Sequence, residues 1–100
     1  MDVYELMAGV THPRAVLAVK YLLSIATHYD RKDFCKLADA YIGKVANLMP
    51  AGSLVTIKAI SQALAESGKE AKKGYAIAYM AWANGLSFAQ TKAFVDGRKR

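Results

Sequence analysis

The chain holds one cysteine, two prolines and two histidines in 100 residues. A single thiol, Cys35, cannot close an intrachain disulfide, so the fold must rest on packing, and a reducing compartment is expected. His12, His28 and Cys35 fit no standard metal-ligand spacing, and no metal is expected. Glycine-rich phosphate loops, dinucleotide fingerprints and Ser/His/acid sets are missing, and Cys35 sits among apolar positions of a helical pattern. The chain is therefore not expected to be an enzyme, and no cofactor is implied. The longest apolar run, Tyr75 to Ala83, has nine residues, against roughly 20 for a membrane span. The opening MDVYELMAGV carries acids where an export signal carries positive charge, which leads to the expectation of a soluble, cytoplasmic protein. Internal repeats, linkers and low-complexity tracts are also lacking, so one domain over 1–100 is expected.

Acidic residues are scarce and unevenly placed. Residues 1–50 carry six basic and five acidic side chains, a net of +1, whereas residues 51–100 carry eight and three, a net of +5. Such a basic half points to a polyanionic partner, although the same charge also serves solubility. The Met49-Pro50-Ala51-Gly52-Ser53 stretch is the strongest punctuation and separates an N-terminal brace, 1–49, from a basic half, 50–100.

Apolar spacing of three and four dominates, and strand patterns are nearly absent, so the expected class is all-α: a compact bundle of about five helices. A short turn or helix over Val3 to Ala8 comes first. Thr11 is placed to cap a helix from about His12 to His28, with Pro13 in its first turn. That helix is apolar around most of its circumference, leaving a narrow polar stripe at Lys20, Ser24, Thr27 and His28, so it needs cover on nearly every side, from the bundle or from a homodimer partner. Asp30 and Asp33 open a helix over Arg31 to Leu48. After the proline turn the spacing predicts a helix over Ile57 to Glu66 capped by Thr56, then one over Glu70 to Asn84. Ser87 and Gln90 form a capping box for a last helix, Phe88 to Asp96, followed by the tail Arg98-Lys99-Arg100. Two local alternatives stay open: a β-bridge at Ser53 to Thr56, and a C-terminal hairpin wing over 93–99 around Asp96-Gly97.

Residues 50–86 have the layout of a helix-turn-helix, possessing in outline the entry to a winged form. Thr56 would receive a phosphate at a helix N-terminus, and the following helix would lead with its basic end, Lys69, Lys72 and Lys73, sharing one side with Ala76 and Tyr79. Ile77, Ala78, Ala81 and Trp82 lie largely on the opposite side, and core packing is the alternative role for Trp82, Tyr75, Tyr79 and Met80, with Tyr79 the exception. The spacing P-x-G-x-x-V-T-x-x-x-I at Pro50, Gly52, Val55, Thr56 and Ile60, with an alanine-rich helix ending in Asn84-Gly85-Leu86, resembles the DNA-binding module of the O6-alkylguanine-DNA alkyltransferases and alkyltransferase-like proteins. The resemblance implies a DNA-binding shape whose second helix meets the minor groove, with Tyr75 near the place of a base-extruding arginine. That family's Pro-Cys-His-Arg run should follow Leu86, where this chain reads Ser87-Phe88-Ala89-Gln90-Thr91, so alkyl transfer is not implied.

The reading that follows is a small regulator or chromatin-type factor, nucleoid-associated and binding duplex DNA. Thr56, Lys58, Lys69, Lys72, Lys73, Arg98, Lys99 and Arg100 would contact phosphates, while Tyr75 and Tyr79 approach the bases. A helical protein-interaction module docking on an acidic protein is the alternative, since a basic patch does not distinguish phosphate from carboxylate. RNA binding is a third reading.

Overall fold

The computed structural model describes residues 3–83 and Gly85, without the side chain of Trp82. Within them the chain is all-helical: α1 Val3–Ala8, α2 Pro13–His28, α3 Arg31–Val45, a 3-10 turn Ala46–Leu48, α4 Ala51–Glu66 and α5 Lys69–Ala83. The helical spacing expected from sequence thus produces a small helical bundle. The expected last helix, the wing over 93–99 and the basic tail lie outside the described residues.

α2 is the hub. It packs against α3, α4 and α5, while α1 covers α4 and α5. Seven of its residues are buried: Ala15, Ala18, Val19, Leu22, Leu23, Ile25 and Ala26. The three alanines let neighbours approach closely, and Leu22, fully buried, contributes about 1.5–3 kcal/mol of hydrophobic stabilisation. Phe34, Ile57, Ile60 and Leu64 complete the core from α3 and α4.

Local chemistry sets the helix ends. The His12 Nδ1 accepts from the Arg14 amide at 3.2 Å, so His12, not Thr11, is the N-cap of α2. Pro13 then occupies the first helical position, where a missing N–H costs nothing. Tyr29 leaves the helix in an extended conformation, and Asp30 caps α3 by accepting from the Asp33 amide at 2.8 Å. This two-residue connection folds α2 and α3 into a hairpin, in which Tyr21 stacks on Tyr41 with ring centroids 4.2 Å apart.

α4 departs most from expectation. It begins at Ala51, six residues before Ile57, with Pro50 as its N-cap and no side-chain cap. The apolar period already runs through Leu54, which packs on the core ahead of Ile57, Ser61 and Leu64. Pro50, at φ −60°, presets the entry, and its carbonyl accepts from the Leu54 amide. Ser53 to Thr56 is therefore helix, not a β-bridge. Thr56 is interior, its hydroxyl donating to the Gly52 carbonyl at 3.1 Å.

Candidate nucleic-acid interface

The expected site was a chain of cations leading onto one side of α5, and the fold divides it. Lys69 and Lys73 are exposed, whereas Lys72 is only 7% exposed, with its Nζ 5.9 Å from the centre of the fully buried Phe34 ring. Lysine has a long apolar stem, which can line a core while its ammonium lies over an aromatic face. Tyr75 is half-buried, meeting Tyr4 edge-on at 5.2 Å, and Tyr79 is 5% exposed. Burial pushes the Tyr79 phenol above its ordinary range.

The inward face of α5 therefore includes Lys72, Tyr75 and Tyr79, spaced by three and four. Of the residues expected on the side away from the lysines, Ala78 is buried, but Ile77 and Ala81 are only half-buried. The correction follows from size: two tyrosine rings and a lysine stem fill the space beside α1, α2 and α3 better than alanine does. α4 and α5 are joined by Ser67 and Gly68; α4 packs on α2, α3 and α1, and α5 on α2 and α1, rather than on each other. α5 is thus laid along the bundle instead of being held outward.

Thr56 does not mark a helix start. The first-turn amides without an intrahelical partner are those of Ala51, Gly52 and Ser53, at the end of α4 remote from α5. A 16-residue helix is about 24 Å long, so a phosphate received there would lie far from Lys69 and Lys73. Lys58 is exposed in the middle of α4. Arg98, Lys99 and Arg100 lie outside the described residues.

The Lys72–Phe34 contact also joins what the sequence keeps 38 positions apart. Phe34 belongs to the second turn of α3, and its first turn opens with exposed Arg31 and Lys32. The starts of α3 and α5 therefore lie near each other, with exposed Arg31 and Lys32 on the one and Lys69 and Lys73 on the other. Sequence reading gave Arg31 and Lys32 no part in the site. The signal in the sequence was the presence of cations in both first turns, Arg31 and Lys32 on α3 and Lys69 on α5, beside the acids Asp33 and Glu70, each such cation costing a few tenths of a kcal/mol against the macrodipole.

The acids at this end are Asp30, spent on its cap, with Asp33, Glu66 and Glu70. Among the described residues no ion pair within 4 Å ties a cation to a carboxylate. Among them, too, no group of three or more His, Cys, Asp or Glu residues is placed to hold a metal ion, and no helix is long and apolar enough to cross a membrane. The arrangement can attract an anion, and its aromatic rings are committed to packing. No protein-family model matches the chain, and neither a curated protein nor a solved structure matches it.

Proposed function

We propose that the chain is a DNA-binding protein that grips the phosphates of duplex DNA with the basic end of the bundle, where α3 and α5 begin. Arg31, Lys32, Lys69 and Lys73 make the contacts, and Lys58 extends the footprint along α4. The observation that carries the proposal is the Lys72–Phe34 contact, which links the two cationic helix starts while leaving their outer side chains exposed. Phosphate adds to the compensation that Asp33 and Glu70 give at these helix starts and offsets the unfavourable alignment of the cations with the helix dipoles. Lys72 acts beneath the surface, as the link between the two helices. Tyr75 and Tyr79 support α5 rather than reaching bases, so binding tolerates many sequences. Association with the nucleoid in the cytoplasm follows from this reading, and the chain is assigned no catalytic role.

A second reading is favoured by Leu17, Leu48, Val55 and Met80, all more than 40% exposed. Apolar side chains at this level of exposure suit a protein partner or a second copy of the chain. Fluorescence anisotropy with a random-sequence duplex, across a salt series, separates the two. Each phosphate contact contributes about 0.9 to the slope of log affinity against log salt, so replacing Lys69 and Lys73 by Gln should flatten it by roughly two units. Lys72→Met should leave the slope unchanged. Absence of binding to duplex, single-stranded DNA and RNA at low salt would refute the proposal in favour of the protein partner.

A further inference from the structure

The facing sides of α3 and α4 carry several small side chains beside the longer Ile42, Lys58 and Gln62. Cys35, Asp39 and Gly43 recur every fourth residue on α3, and Lys58, Ser61 and Ala65 answer them on α4. Helices normally fill such an interface by seating ridges in grooves. Here the small side chains leave an open trough of about 580 Å³, within the range that takes small organic molecules.

Ser61 indicates what the trough is suited to hold. It is 8% exposed, and it lines the trough. Two neighbouring hydroxyls bond back to the preceding turn, Thr56 to the Gly52 carbonyl and Ser67 to the Ala63 carbonyl at 2.7 Å. The Ser61 hydroxyl makes no hydrogen bond among the described residues. A buried hydroxyl without a partner is costly, and folding against an apolar floor does not remove that cost. Lys58 supplies positive charge on the same helix, one turn before Ser61, and is not paired with Asp39 across the trough.

We propose that this trough binds a small, mostly apolar organic monoanion. Its carboxylate or sulfonate faces Lys58, a polar atom meets the Ser61 hydroxyl, and its hydrocarbon body lies against Cys35, Gly43 and Ala65. Asp39 on the facing wall disfavours a second negative charge. The site shares Lys58 with the proposed DNA footprint but lies apart from the exposed basic helix starts, and it does not rest on the nucleic-acid reading.

Anilinonaphthalene sulfonate, an aromatic monoanion, is the probe. Its fluorescence should rise saturably with the intact chain, and its presence should slow alkylation of Cys35. Gly43→Leu should weaken the probe by at least about tenfold, because a Cβ at exposed Gly43 meets nothing within 4 Å and the added side chain fills the trough without disturbing the core. Ser61→Ala should weaken it roughly fivefold. Far-ultraviolet circular dichroism and thermal melting verify folding of both variants, and Cys35 protection tests the site in the unaltered chain. Unchanged affinity in Gly43→Leu, or alkylation indifferent to the probe, overturns the proposal. So does a dimer that Gly43→Leu dissociates, which would make the occupant a second copy of the chain.

Discussion

Lys72 offers the sharpest test of the packing, since replacing it with alanine and with methionine removes different things. Alanine deletes Cγ, Cδ and Cε from a side chain that is 7% exposed, which at about 0.8 kcal/mol per buried methylene costs roughly 2.4 kcal/mol. It also removes the contact with the Phe34 ring, worth about 0.5–2 kcal/mol. Better helix propensity returns only a few tenths. Methionine keeps the apolar stem and loses only the ring contact and the charge, so its cost should stay within about 2 kcal/mol. The alanine variant should thus be less stable than the methionine variant by about 2 kcal/mol, or roughly 8 to 16 °C in melting temperature. Urea unfolding followed by circular dichroism measures the difference. A cycle with Phe34→Leu should also give a coupling of about 0.5–2 kcal/mol between the two positions. If the alanine and methionine variants are equally stable, the stem is not packed, and the link between the starts of α3 and α5 fails with it.

Three further tests address local chemistry. Thr56→Ala should leave stability within about 0.5 kcal/mol, because Thr56 is interior to α4; a loss of 1–2 kcal/mol on urea unfolding would return it to the helix-cap role the sequence suggests. Asp30→Ala should cost about 1 kcal/mol and speed hydrogen exchange at the Asp33 amide, whose hydrogen bond to the Asp30 carboxylate it removes. The Tyr41 phenol is raised by burial and by neighbouring Tyr21, with Arg14 pulling the other way. Its neutral form is favoured in the fold, so stability should fall as pH rises above about 10, where an unfolded tyrosine ionises first. Tyr41→Phe should flatten that alkaline decline in melting temperature, and an unchanged profile would contradict the assignment.

The candidate site was partly legible in its composition and scarcely legible in its geometry. Lys58, Lys69 and Lys73 are exposed cations, as the pattern suggested. Lys72 and Tyr79 turned inward because burial of a long stem and an aromatic ring depends on neighbours that lie elsewhere in the chain. Arg31 and Lys32 joined the basic end for the same reason, through a contact with no sequence-local signature.

What the sequence determined by itself was the helical character, the approximate span of α2, α3 and α5, and the Asp30 cap, because these follow from spacing and from hydrogen bonds between near neighbours. Tertiary structure decided where α4 begins, which face of α5 points inward and which cations stay exposed. Such choices depend on burial against distant residues: Leu54 extends α4 toward the proline turn by packing on the core, and Phe34 draws in Lys72. Local propensity sets each helix, and the competition among their apolar faces for α2 sets the arrangement.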